Sequence, residues 1–239
     1  MGNFHEKIII FFLIGIPVVL AQDVKSAAPE PALTADQVIQ RLMNADRNRF
    51  RKLHEYTSVR HYSMNNHRFK KSARMKVKVS FQHPDQFEYE VLDEEGPRAV
   101  RNQVFRKMLK SEQEALDRAE REATLVSVNN YEFELLREED LDGRRNYVLS
   151  AIPKTKNKFL FRGEVWIDAD DFAVSRIEGA PAQKPSFWVI KTHFVHRNIK
   201  VDEFWVPHSN HSQTDVLIFG STDVEIHYGD YGMNSLAQR

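Results

Sequence analysis

The sequence predicts a mainly β (α+β) protein: one curled antiparallel sheet of about 9 to 11 strands, with helices set over its opening. The first observation behind this is period-2 alternation. Arg74-Met-Lys-Val-Lys-Val-Ser-Phe81 places Met75, Val77, Val79 and Phe81 on one face and Lys76, Lys78 and Ser80 on the other, as in a half-buried strand. The second is that helical spacing occurs in only two stretches. The third is width: ten strands at about 4.8 Å make a sheet roughly 48 Å across, against about 10 to 12 Å for a helix. Two helices cannot cover that, so the sheet must curl into a barrel or part of one.

The first 21 residues read as a signal peptide. Met1 to Lys7 is short and polar, Ile8 to Leu20 is an apolar run of 13, and Val19-Leu20-Ala21 precedes a cleavage point before Gln22. Such a run is too short for the ~20 residues that span a bilayer. The segment 22–33, with Ala-Ala-Pro-Glu-Pro-Ala, reads as a flexible linker. The folded domain is placed at 34–232, followed by a tail at 233–239.

Thr34-Ala-Asp-Gln37 matches a capping box, and Val38, Ile39, Leu42, Met43, Phe50 and Leu53 continue at helical steps, predicting a helix from Ala35 to Glu55. From Tyr56 the period becomes two. Strands are expected at Tyr56 to Met64, Lys70 to Gln82 and Gln86 to Leu92, the last two joined by the turn His83-Pro84-Asp85. Gly96-Pro97 interrupts them, and 99–122 reads as an inserted helix. Its cations Arg101, Arg106, Lys107 and Lys110 fit a partner patch, but a solvated face with i,i+4 charge pairs explains them more simply. Strands then resume at Tyr131 to Arg137, Arg145 to Ile152, Phe159 to Asp168, Phe172 to Gly179, Phe187 to Arg197, Glu203 to Thr214 and Asp215 to Tyr231. Turn residues such as Asp142-Gly143 and Asp168-Ala-Asp-Asp171 separate them.

Composition removes several functional classes. The chain has no cysteine, hence no disulfide framework, no thiolate metal site and no acylated cysteine behind the signal peptide. Lys plus Arg equals Asp plus Glu at 34 each, which implies no nucleic-acid binding. The pairs His193/His196 and His208/His211 are three apart, and on strands such residues point to opposite faces, so no metal site is expected. There is no Gly-x-Ser-x-Gly elbow, phosphate loop or His-Glu-x-x-His helix. No catalytic residue and no cofactor are assigned.

What remains is an apolar wall. Phe81, Phe87, Tyr89, Phe133, Phe159, Phe161, Trp188 and Phe194 fall on the more apolar sides of their strands and are the candidates for a ligand cavity. Alternation alone leaves two readings of that wall open, a dry packed core and a hollow.

Phe161-Arg-Gly-Glu-Val-Trp-Ile-Asp168, then Phe172-Ala-Val-Ser-Arg-Ile177, then Phe204-Trp-Val-Pro207 resembles the outer-membrane lipoprotein-sorting family, which includes LolA, LolB and the RseB N-terminal domain. The resemblance spans Thr34 to Tyr231. It implies an unclosed β-barrel lidded by helices, and a non-enzymatic periplasmic carrier holding lipoprotein acyl chains or other lipids in a hollow. It further implies an inner-membrane donor, an outer-membrane acceptor and a monomer. Trp166, opposite in phase to Phe161 and Val165, reads as structural, and Asp168 as the start of a turn. An RseB-like envelope sensor acting through a protein partner is the alternative.

Overall fold

The structure, a computed structural model, describes residues 33–116, 118–183, 189–218 and 220–235. The expected signal peptide, all but the last residue of the expected linker, and Trp188 lie outside these residues. Helix α1 (Ala35–Lys52) is followed by β1 (Leu53–Asn66), β2 (Lys71–Gln82) and β3 (Gln86–Glu95). A helical stretch comes next: α2 (Arg98–Val100), a π-helical turn (Arg101–Phe105), α3 (Arg106–Leu116) and α4 (Arg118–Thr124). Seven strands complete the chain: β4 (Tyr131–Leu141), β5 (Arg144–Pro153), β6 (Phe161–Asp168), β7 (Val174–Pro181), β8 (Val189–Val201), β9 (Phe204–Val216) and β10 (Gly220–Ser235).

The ten strands form one antiparallel sheet in the order β3-β2-β1-β10-β9-β8-β7-β6-β5-β4. It curls without closing, because the edges β3 and β4 do not pair with each other. The first and last strands meet in its interior, and the helical stretch carries the chain from one edge to the other.

Helix α1 begins where the capping box places it. Thr34 Oγ1 accepts from the Gln37 amide at 3.3 Å, and Gln37 Oε1 accepts from the Thr34 amide at 2.9 Å, satisfying two otherwise orphaned donors. Val38, Ile39 and Leu42 are fully buried on its inner stripe, each contributing about 2 kcal/mol of transfer free energy. The helix ends at Lys52 rather than Glu55 because Leu53 and Glu55 are taken into the ladder with Ser235 and Asn234. Cross-strand pairing there outweighs helix propensity.

Three further differences from expectation concern apolar residues of the connections. Phe159 sits in the β5–β6 loop, not in a strand, and Lys158 lies over its ring at 4.6 Å. Phe172 is in the β6–β7 turn with φ 46°, so β7 starts at Val174. Strand β9 continues to Val216 and turns through Leu217 and Ile218, apolar residues that carry no turn signal of their own.

The β6–β7 turn is organised by Asp168. Its fully buried carboxylate accepts from Arg144 at 2.5 and 2.8 Å and from the amides of Asp170 and Asp171 at 3.2 and 2.8 Å. On the outer face of the same strand Trp166 is 4% exposed, donates Nε1–H to Glu139 at 2.8 Å, and lies under the guanidinium of Arg176 at 4.7 Å. Trp166 therefore covers the outside of the sheet. Where β6 and β7 run side by side, Gly163 faces Gly179. A Cβ on Gly163 would lie 2.0 Å from the Glu178 carbonyl oxygen, so the strands approach only because neither residue has a side chain.

Candidate functional site

The pairing register defines one inner row across the sheet: Leu135, Leu149, Val165, Ile177, His196, Asn210, Ile226, Tyr62 and Met75. It is apolar on both flanks and polar in the middle. The next row repeats the pattern, with Phe133, Ala151, Gly163, Gly179 and Phe194 on one side, Ser212 between, and Val224, Met64 and Ala73 on the other. Both helical layers pack on this face, but on different halves. α1 sits with Tyr131, Tyr147, Leu149, Phe161, Val165 and Ile167, while Phe105 and Leu109 sit with Tyr62, Met64, Met75, Val77, Val79, Phe87 and Ile226. The inner face thus holds two dry clusters separated by a polar strip on β8 and β9.

The polar strip hydrogen-bonds to itself. Thr192 and Thr214 hydroxyls are 3.2 Å apart, the Asn210 amide faces His196 Nδ1 at 3.4 Å, and His196 Nε2 meets Asn198 Oδ1 at 3.0 Å. This fits a neutral ring that accepts at Nδ1 and donates at Nε2. Burial lowers the His196 pKa, although the Asn198 contact works against the shift. The unfolded chain therefore binds the proton more readily, so this contribution to stability is full above pH 6.5 and falls as pH drops toward the lowered folded value. Urea midpoints recorded above pH 6.5 and about two units below should separate in the wild type, and His196→Gln should narrow the gap. The partners in the expected histidine pair diverge: His193 faces Glu178 at 3.2 Å on the outer side, whereas His196 faces inward.

The α3 half contains a charge that sequence reasoning missed. Arg60 on β1 is 1% exposed and ion-pairs with Glu112 of α3. Its guanidinium lies 5.5 Å from the Phe87 ring centre and 5.1 Å from that of Tyr228, and its Nε has no protein partner. Burial works to lower the Arg60 pKa, but Glu112 more than restores it, leaving the group firmly charged. The neighbouring phenols are also pushed up, chiefly by burial, with Tyr56 and Tyr62 each at about 12. The available signal was phase: Ser58, Arg60, Tyr62 and Met64 alternate inward, which puts a cation in an otherwise core-like series.

Ion pairs fasten the helical stretch over its half of the sheet. Glu94 of β3 pairs with Arg101 and, at 2.8 Å, with Arg106; Lys158 pairs with Glu114 at 2.6 Å. Two of the four cations predicted on this helix are thus tied to Glu94 of the edge strand. Phe105 and Leu109 supply the fully buried apolar attachment, about 2 kcal/mol each. Val100, Val104, Met108 and Leu116 pack around them, so the cover joins an apolar face to ion-paired edges.

Six of the eight aromatic candidates divide between the two halves. Phe161 is buried beside Tyr131, with Phe133 and Phe194 packed around them; Phe194 meets Phe161 edge-on at 6.2 Å. Phe87 lies under α3, and Phe81 stacks on Tyr56 at 5.3 Å at the rim of that half. Tyr89 is in register with Val79 but 40% exposed, because edge strand β3 is not fully covered. Phe159 is in a loop and Trp188 lies outside the described residues. The wall is therefore two patches. Helical side chains pack against both of them.

An open groove of about 560 Å³ adjoins the α3 half. Glu55, Thr57, Ser80, Gln82, Gln86 and Glu88 are among its lining residues, at the end of the sheet where β2 turns into β3, and the register puts them on the face turned away from the α3 cluster.

A family model described as "Uncharacterized protein" matches residues 122–234, which span β4 to β10. None of the curated proteins matches the sequence. Among solved structures, the chain is similar to a domain from Vibrio parahaemolyticus assigned to outer membrane lipoprotein sorting: 15% identity, 82% of this chain and 93% of that one, TM-score 0.46. It is also similar to a LolA superfamily protein from Nitrosomonas europaea, at 10% identity over 86% and 96% of the two chains, TM-score 0.39. A DUF1329 family protein from Desulfovibrio piger is a further match, at 13% identity over 82% and 92%, TM-score 0.42.

Proposed function

We propose that the protein is a non-enzymatic carrier of acyl chains, exported to the periplasm, that takes its cargo onto the apolar half of the sheet beneath α3. The observation that carries this reading is the form of the cover. A helical stretch that packs through Phe105 and Leu109, with Val100, Val104, Met108 and Leu116 around them, and that is held by ion pairs to Arg60 and Glu94, lies over Tyr62, Met64, Met75, Val77, Val79, Phe87 and Ile226 as a separate apolar layer. If an acyl chain replaces the helix on these side chains, each buried methylene contributes about 0.8 kcal/mol. The cover offers a competing occupant, which keeps release possible. Lipoprotein acyl chains received from an inner-membrane donor and passed to an outer-membrane acceptor are the cargo and route that the Trp166 to Pro207 motif series suggests.

The test is titration of the purified protein with a fluorescent fatty acid, alongside native mass spectrometry of protein taken from its own cell envelope. Saturable binding, competed by unlabelled fatty acid and weakened by Phe87→Ala, is expected. Absence of saturable binding to folded protein, together with empty protein in the mass spectrum, would sink the reading. Capture of a stoichiometric signalling protein without acyl uptake is the result expected of the sensor alternative.

A further inference from the structure

In an antiparallel meander successive turns alternate between the two ends of the sheet, and here they also alternate in chemistry. At one end are the turns at 83–85, 142–143, 169–173 and 202–203. They carry Asp85, Asp142, Asp170, Asp171, Asp202 and Glu203, with no Lys or Arg. At the other end are the described connections at 67–70, 154–160 and 217–218. They carry Arg68, Lys70, Lys154, Lys156 and Lys158, with no Asp or Glu. The connections are therefore sorted by sign, and the acidic ones are largely neutralised in place, Glu203 by Lys52, Asp171 by Arg144 and Lys200, and Asp142 by Arg197, whereas Arg68 and Lys70 stand at the basic end.

The basic end is also where apolar side chains stand out. Leu217 and Ile218 are each 56% exposed, and Phe69 is 47% exposed. The two turns bearing them are neighbours. The His67 amide donates to the Ser221 carbonyl at 3.0 Å, and a Cβ on Gly220 would sit 3.0 Å from the Arg68 Cβ. Ile190 on β8, 52% exposed, lies near the far side of the β9 tip, since Val189 pairs with Val216.

We propose that this end docks on an anionic phospholipid surface, with Leu217, Ile218 and Phe69 entering the headgroup boundary and Arg68 and Lys70 meeting lipid phosphates. Charge complementarity favours this occupant: cations beside protruding Leu, Ile and Phe side chains are what an anionic bilayer surface takes up. Lysine is depleted in protein interfaces, and leucine is uncommon among their hot spots. The inference rests on the carrier reading in giving that cargo site a membrane to serve.

The experiment is co-sedimentation of the full chain with phosphatidylcholine vesicles, and with vesicles in which about a third of the lipid is phosphatidylglycerol. Binding only to the latter, falling with added salt, is expected. Arg68→Gln with Lys70→Gln should weaken it on the order of 25-fold, about fivefold for each cation neutralised. Leu217→Ser with Ile218→Ser should abolish sedimentation while leaving the thermal melt unchanged, because both side chains are exposed. Failure of folded wild type to bind the anionic vesicles, or equal binding by both double variants, overturns the proposal. So does self-association in sedimentation velocity that the Leu217/Ile218 variant removes, because it assigns the patch to a second copy. The fatty-acid titration without vesicles reads the carrier function separately, so either inference can fail alone.

Discussion

Glu112→Ala is expected to lower the free energy of unfolding by about 3 to 5 kcal/mol, read from urea transitions at neutral pH. The loss exceeds that of an ordinary surface ion pair because Arg60 is 1% exposed and keeps its charge when its partner goes. The rings of Phe87 and Tyr228 offer cation–π attraction and the Tyr56 and Tyr62 hydroxyls hydrogen bonds, but none of the four supplies a counter-charge. Replacing both members, Arg60→Met with Glu112→Leu, should recover most of the loss or exceed the wild type, since the desolvation cost disappears with the charges. The pair of variants also reads the cover. Glu112→Ala frees α3 and should raise the rate of acyl uptake, whereas the apolar double variant seals α3 and should slow it. If both variants took up ligand at the wild-type rate, α3 would be no gate.

Gly163→Ala should cost about 3 kcal/mol or more, with a lowered melting temperature as the readout. The new methyl would stand 2.0 Å from the Glu178 carbonyl oxygen and 2.6 Å from the Gly179 Cα, both backbone atoms that no rotamer change can move. β6 and β7 would have to part along the stretch that joins the α1 cluster to the polar strip. Gly143→Ala is the comparison: nothing lies within 4 Å of its Cβ, and its φ of 81° alone should cost about 1 kcal/mol. A similar cost for both would show that the strands separate easily.

How much of this was legible depends on the kind of information each feature needs. Local rules sufficed for the start of α1, where Thr34 and Gln37 are three apart, and for the hairpin at His83-Pro84-Asp85, where a turn divides two alternating runs. Alternation also placed Phe87, Phe133, Phe161 and Phe194 on the inner face. It could not show which helix covers each of them, because phase fixes a face and not a partner across the chain. The division into two clusters was therefore invisible. So was the meaning of Arg60, whose phase was readable but whose counter-ion lies 52 residues away on a helix. Phe159 and Leu217 were misplaced for the opposite reason: apolar residues in connections look like strand residues until the ladder is seen to end.

The pairing of β1 with β10 has a kinetic consequence. Leu53 faces Ser235 and Asn66 faces Thr222, so the seam in the interior of the sheet joins residues that are among the most distant in the described chain. Hairpins such as β2–β3 or β8–β9 form from neighbours, whereas the seam carries the largest loop-closure cost and limits the folding rate. A chain that emerges N-terminus first cannot zip this seam until Ser235 is free. Until then β1 has an open edge, and the molecule is two partial sheets awaiting their joint.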